Sequence, residues 1–260
     1  MPVQSVGFVG GGRVARIMLE GWRRAGAMPA RVVVSDPNRD TLTQLAIQIP
    51  SIETCVADNC AAAGQSVVLL GLHPPAFADT LPGLAGSLKP DAIVISLAPK
   101  QTIDRLSGLL GGFDRIARAI PNAPSIVGSG FNPIAFGPAL TEADRSAILE
   151  LFAPLGDSPV VDEKTLEAYA VTAAMGPTYL WFQLYQLREL ARSFGLSEEA
   201  AGAAVERMTR GALDTMSESG LTPAEVMDLV AVHPLSDAEP AFIDAYQTRL
   251  TAVMDRIRPA

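Results

Sequence analysis

Residues 6–18 read VGFVGGGRVARIM, and the rest of the chain is organised around them. Val6, Phe8 and Val9 predict a short buried strand. Gly10, Gly11 and Gly12 predict a tight turn, and Val14, Ala15, Ile17 and Met18 have the spacing of a helix face. Inside lies the pattern Gly10-x-Gly12-x-x-Ala15. Gly10 permits the turn, Gly12 lets backbone approach a pyrophosphate, and Ala15 is small enough for the helix to pack on the strand. Free N–H groups at the helix start, with the dipole behind them, attract phosphates. The next apolar run, Val32 to Val34, leads to Ser35 and Asp36, where a ribose-binding acid is expected. A purely structural glycine turn is the alternative, but the strand, the helix and the acid together favour a dinucleotide site.

With 260 residues the chain has room for one large domain or two smaller ones. A hydrophobic fraction of 48% and a charged fraction of 18% indicate a globular enzyme rather than a disordered chain. The net charge of -8 argues against a nucleic-acid or anionic-membrane partner. Cys55 and Cys60, the only cysteines, read as small buried thiols, and with no His or acidic cluster beside them no metal site is expected. No segment approaches the roughly 18 apolar residues that span a bilayer. The opening strand leaves no room for a signal peptide, so a cytoplasmic location is expected.

Through about residue 160 short apolar runs alternate with helical patterns. The runs are Val32–Ser35, Ser66–Leu72, Ala92–Leu97, Arg115–Ile120 and Asn132–Phe136; amphipathic pieces include Arg39–Ile47, Pro75–Ala85 and Thr102–Leu110. This predicts an α/β fold whose N-terminal Rossmann domain, residues 1–160, is a doubly wound, mostly parallel sheet. Its ligands bind beyond the strand C-termini. Residues 161–260 predict an all-helical domain. Asp162 caps a long helix reaching about Phe194, interrupted at Gly176-Pro177 and stopped by Gly195. Ser197 starts another, Thr222-Pro223-Ala224-Glu225 is a capping box, and Ser236 to Glu239 offers a second box for a last helix. The apolar stripes Leu180, Leu184, Leu187, Ala191 and Ala201, Val205, Met208, Ala212 are long for so small a domain. They suggest a homodimer, or a higher oligomer, through this domain; a self-contained bundle is the alternative.

The motifs VGFVGGGRVA, VVVSDPN, ADN, SVVLLGLHPP, IVISLAPKQTI, RIARAIPNAPSIVGSG, LTEADRSAILELFAPLG, MGPTYLWF and SESGLTPAEVMDLV, in this order, resemble pyrroline-5-carboxylate reductases over nearly the whole chain. The resemblance implies a Rossmann domain, a helical dimerisation domain, and reduction of a cyclic imine with NADH or NADPH. It implies that Gly10, Gly11, Gly12, Arg13 and Val14 hold the pyrophosphate, and that Ser35, Asp36 and Asn59 hold the adenosine ribose. Leu72 to Pro74, Ala98, Pro99 and Asn122 would flank the nicotinamide. Asp36 suits the ribose hydroxyls of NAD, whereas Arg39 is the counterargument for NADP; the balance leans to NADH.

This chain departs from the family pattern where substrate belongs. The family's Ser-Gly-Ser-Gly-Pro-Ala-Tyr is Ala173-Ala174-Met175-Gly176-Pro177-Thr178-Tyr179, and a family glutamate aligns with Tyr185. The family's Thr-Ser-Pro-Gly-Gly-Thr-Thr carboxylate loop is Ala231-Val232-His233-Pro234-Leu235-Ser236-Asp237. A family Lys is His73, and a family Thr is Ala123. Hydroxyl and glycine donors for a carboxylate are lost and an acid is gained, so a different, larger or cationic substrate is expected. Met175, Gly176, Tyr185, His233 and Asp237 are the candidate substrate contacts.

Hydride transfer to a protonated C=N bond needs positioning more than a dedicated acid. Three groups could serve as donors. Tyr179 donates or buries its ring; Thr178 donates or bonds its own backbone; His73 meets the nicotinamide ribose, donates a proton or caps a loop. Asp237 could instead cap the last helix, and Arg118 reads as a structural partner under the sheet edge. Beta-hydroxyacid dehydrogenases need a lysine on the helix around Gly176, and Lys89, Lys100 and Lys164 all lie elsewhere. A catalytically silent dinucleotide-binding sensor is the remaining alternative.

Overall fold

A computed structural model describes residues 3–259. The first unit begins β1 (Ser5–Val9), α1 (Arg13–Arg24), β2 (Arg31–Asp36), α2 (Arg39–Gln48), β3 (Glu53–Val56), α3 (Asn59–Ala63) and β4 (Val67–Leu70). It continues with α4 (Phe77–Thr80), β5 (Ile93–Ser96), α5 (Ile103–Leu109), β6 (Ile116–Ala119), β7 (Gly130–Phe131), β8 (Ile134–Phe136), α6 (Glu142–Phe152) and β9 (Gly156–Asp157). The main sheet has the order β3-β2-β1-β4-β5-β6-β8; all pairs are parallel except β6 with β8.

Both faces of the sheet are covered, which is why its central strands are apolar without alternation. Phe8, Val34, Leu69 and Ile95 meet Met18 and Trp22 of α1 and Phe152 of α6 on one face. Val9, Val33, Val68 and Val94 meet Ala62, Phe77 and Leu106 on the other. Trp22 is fully buried, and its Nε1 donates to Leu151 O at 2.9 Å, which satisfies the one polar atom it carries inside.

Several expectations need correction. Residues 75–85 do not form one amphipathic helix: short 3-10 turns at Pro74–Ala76, Leu81–Gly83 and Ala85–Ser87 flank the single turn α4. Pro82, which cannot donate, and the flexible Gly83 account for the break. Strand β3 was not anticipated because its ETCV sequence is short, polar and at the sheet edge. The cysteines are not buried thiols: Cys55 is half-buried and Cys60 exposed.

Composition changes at residue 160, but packing changes later. The two compact units are Met1–Met175 with Val253–Ala260, and Gly176–Ala252. Residues 161–175 belong to the first because Leu166 and Ala170 pack with Ile120 and Ala135. The long helix expected from Asp162 is instead a 3-10 turn at Glu163–Thr165 capped by Asp162, then α7 (Leu166–Tyr169) and a π turn at Ala170–Ala174. Such π turns inside helical segments often mark functional sites.

The second unit contains α8 (Pro177–Ser193), α9 (Glu198–Glu218) and α10 (Pro223–Asp228), and most of α11 (Glu239–Ile257). Gly195 ends α8 with φ +101, Ser197 caps α9 and Thr222 with Glu225 forms the expected capping box. Ser236 does not cap the last helix, which starts at Glu239; Ser236 lies in the turn before it, donating its backbone N–H to His233 O.

Candidate functional site

The C-terminal ends of β1, β4 and β5 border one cleft of about 710 Å³. Gly11 to Val14 line it from the first turn, Leu72, His73 and Pro74 from the segment after β4, and Leu97, Ala98 and Pro99 from the segment after β5. Three segments widely separated in sequence and all predicted to face a dinucleotide are therefore brought together. Arg16 and the α2 residues Thr41 and Gln44, which sequence reasoning missed, also line it. Only the packing of α2 beside α1 reveals them.

The first turn is shaped by its glycines. Gly10 has φ +104, and a Cβ there would stand 2.6 Å from Gly71 O. Its N–H donates to Ser35 O at 2.8 Å, while Gly71 N–H donates to Val9 O at 2.9 Å. Gly12 is the N-cap of α1; no side chain caps the helix and its first turn has no acid. A Cβ built on Gly12 meets nothing within 4 Å. Open space against uncapped helix amides suits a pyrophosphate on both steric and electrostatic grounds.

At the end of β2, Asp36 Oδ2 accepts from Gly11 N–H at 2.9 Å and Oδ1 accepts from Asn38 N–H at 2.8 Å. Beside it in sequence, buried Ser35 donates from Oγ to Asn59 Oδ1 at 2.8 Å. Asn122 is different. It is buried and absent from the cleft lining; its Oδ1 accepts from Phe131 N–H at 3.0 Å and its Nδ2 donates to Ala173 O at 3.3 Å. Its amide thus ties the exit of β6 to the π turn.

His73 is exposed at the cleft and forms no side-chain cap with the turn it precedes. Met175 closes the π turn, its N–H donating to Ala170 O at 3.1 Å, and Gly176 is the N-cap of α8. Thr178 and Tyr179 lie in the first turn of α8, within the second unit. The Tyr179 ring meets Tyr246 edge-on at 5.9 Å. Burial, reinforced by Tyr246, raises the Tyr179 phenol above its ordinary range. Tyr185 is exposed with the Arg188 guanidinium 6.0 Å from its ring centre. The His233 ring pairs through Nε2 with Val230 O, and Asp237 is exposed. Among the described residues no group of three or more His, Cys, Asp and Glu is arranged to hold a metal ion, and no helix is long and apolar enough to cross a membrane.

Arg118, read as a structural partner, has two partners that the sequence did not indicate. Its Nη1 lies 3.0 Å from Glu163 Oε1 and its Nη2 lies 2.5 Å from Glu167 Oε1. An acid between Leu166 and Ala168 in an apolar helical stretch was the available signal.

Comparison with known proteins agrees with this geometry. A family model described as NADP oxidoreductase coenzyme F420-dependent matches residues 5–100, the glycine turn and the strands around it. Pyrroline-5-carboxylate reductase from Pisum sativum is 26% identical over 227 residues, covering 86% of this chain and 81% of that protein. The pyrroline carboxylate reductase of Plasmodium falciparum, solved with NADP bound, superposes with a TM-score of 0.83 at 17% identity, covering 98% of this chain and 97% of the other. A pyrroline-5-carboxylate reductase structure from Coxiella burnetii gives a TM-score of 0.72 at 25% identity, covering 99% and 98%. These matches give no support to the lean towards NADH: the family model's description and the Plasmodium falciparum structure name NADP, and none of the four names NADH.

Proposed function

We propose that this chain, which belongs to the pyrroline-5-carboxylate reductase family as a distant member, is an NAD(P)H-dependent reductase that converts a cyclic imine other than the family's carboxylate to the amine. The observation that carries this reading is the cleft itself, where an open, uncapped helix N-terminus faces the Leu72–Pro74 and Leu97–Pro99 segments. When bound, a dihydronicotinamide supplies the hydride, two electrons and a proton's mass, to the imine carbon; the C=N π pair then rests on nitrogen. An iminium that arrives protonated needs no further proton. For an unprotonated imine, Tyr179 and His73 are the candidate donors. The experiment is NADPH oxidation over a panel of cyclic imines with and without a carboxylate. Turnover of a member without the carboxylate supports the reading; turnover of carboxylated members alone supports a reductase but overturns the altered substrate. Saturable NADPH binding with no turnover refutes it in favour of a silent binding protein.

We read the preferred coenzyme as NADPH. Both Asp36 oxygens already accept a backbone N–H, and Arg39, which opens α2 three residues later, is the cation that would meet a 2′-phosphate. The expected kcat/KM is at least about 10-fold higher with NADPH than with NADH. Arg39→Ala is expected to reduce that ratio about 10-fold by raising KM for NADPH alone, as loss of one charge-assisted contact does.

The oligomer proposed is a dimer through the second unit. Among the described residues α8 buries none of its side chains, and Phe182 is 64% exposed and Phe194 81%. So much exposed apolar surface is what a second copy of the chain would cover. Light scattering after size exclusion should give a mass near twice 27.3 kDa. Phe182→Asp, which puts a charge into such an interface, is expected to weaken the dimer at least about 30-fold; an unchanged dimer would move the interface elsewhere.

A further inference from the structure

Arg118 sits on β6 opposite Ser96 of β5, with its side chain wholly inside the first unit. Its guanidinium holds two carboxylates, one almost fully buried (Glu167) and one partly exposed (Glu163). Each carboxylate also accepts a backbone N–H from the segment that follows β5. Lys100 N–H reaches Glu167 Oε1 at 2.9 Å, and Ile103 N–H reaches Glu163 Oε1 at 2.7 Å. Lys100 has φ +72, a left-handed conformation that a lysine adopts only when its surroundings impose it. Leu97, Ala98 and Pro99, immediately before it, line the cleft. Gln101 then ties the same segment to the one after β4, its Nε2 donating to Pro74 O at 3.4 Å.

Stability alone is a weak reason for this arrangement. Taking ions out of water is expensive, and well-packed apolar replacements of a buried ion pair are often neutral or stabilising. What apolar groups cannot do is accept the N–H of a strained residue and of the first residue of α5. The charge trio therefore sets a shape. We propose that Arg118, Glu163 and Glu167 are positioning residues that hold the 97–103 segment in the conformation required at the nicotinamide end of the cleft; this rests on the reductase reading above.

The test replaces the buried pair with apolar groups, Arg118→Met with Glu167→Met, in the full chain. Packing is kept while the Lys100 N–H loses its acceptor. The melting temperature is expected within about 5 °C of the wild type, and the NADPH dissociation constant within about threefold. For the imine turned over fastest, kcat is expected to fall at least about 20-fold, as small misplacements of reacting atoms do. The primary isotope effect on kcat, measured with NADPH deuterated at C4, should rise, and amide exchange across 97–103 should quicken. A kcat within twofold of the wild type alongside faster exchange overturns the proposal. Should the double variant not fold, Glu163→Met, which deletes the acceptor of the Ile103 N–H at a partly exposed position, reads the same outcome: a kcat drop of about fivefold with a melting temperature within about 5 °C supports positioning, and an unchanged kcat refutes it. Failure of the wild type to show saturable NADPH binding overturns the reductase reading, and the positioning role with it. Saturable binding with an unaltered kcat in the variants overturns positioning alone.

Discussion

Gly12→Val is expected to lower NADPH affinity at least about 100-fold while moving the melting temperature by less than about 3 °C. Its backbone, at φ -71 and ψ -158, is extended and open to any L residue, and a Cβ there touches nothing within 4 Å. Valine thus fits the protein. It does not fit the ligand, because its methyls occupy the space through which a pyrophosphate would reach the helix amides. Two charge-assisted hydrogen bonds at about 1.5–3 kcal/mol each are enough for the stated loss. Gly10→Ala provides the contrast. At φ +104 and with Cβ 2.6 Å from Gly71 O, alanine is strained and collides with backbone, so it is expected to cost about 2–4 kcal/mol of stability. Fluorescence titration and thermal melts on both variants separate the two effects. Normal NADPH binding by Gly12→Val would mean that the first turn of α1 is not the coenzyme site.

The contrast between those two glycines also shows how far the residues could be read unaided. Gly10, Gly12 and Ala15 announce their positions because a strand, a turn and a helix demand small residues at fixed spacing. The apolar runs at β1, β2, β4, β5 and β6 announce a covered parallel sheet in the same way. Local chemistry therefore carried the Rossmann half of the fold, while the roles of Ser35, Leu72 to Pro74, Ala98 and Pro99 came from the resemblance. Long-range pairings were not legible. Glu163 and Glu167 bond an arginine 45 and 49 residues away; the apolar neighbours of Glu167 signal a buried acid but not which cation holds it. Asn122, placed near the nicotinamide by resemblance, also bonds Phe131 and Ala173, ties that its position after a strand does not announce. The boundary near residue 160 failed to mark the packing change for a related reason. Helical character begins there, but Leu166 and Ala170 still belong to the hydrophobic cluster of the sheet domain.

1-Pyrroline, which lacks a carboxylate, is expected to be reduced with a kcat/KM at least about 100-fold above that for 1-pyrroline-5-carboxylate. The family's carboxylate loop, by resemblance, offers hydroxyl and glycine N–H donors where this chain has Ala231 to Asp237. Here the His233 ring is already paired with Val230 O, and Met175 stands where the family has a serine. A carboxylate brought to such a loop loses about 1.5–3 kcal/mol for each charge-assisted bond not made. Asp237 adds repulsion of about 2–3 kcal/mol if the two charges come within about 6 Å at an effective dielectric near 20. The sum exceeds the roughly 2.7 kcal/mol that a 100-fold ratio requires. Asp237→Ser should then recover at least about 30-fold for the carboxylated substrate and leave 1-pyrroline within about twofold, because only the charged substrate meets the deleted repulsion. The comparison is steady-state NADPH oxidation with both imines at matched coenzyme saturation. A wild-type preference for the carboxylated imine would overturn the altered-substrate reading while leaving the reductase intact, since nothing in the coenzyme cleft depends on what the Ala231–Asp237 loop receives.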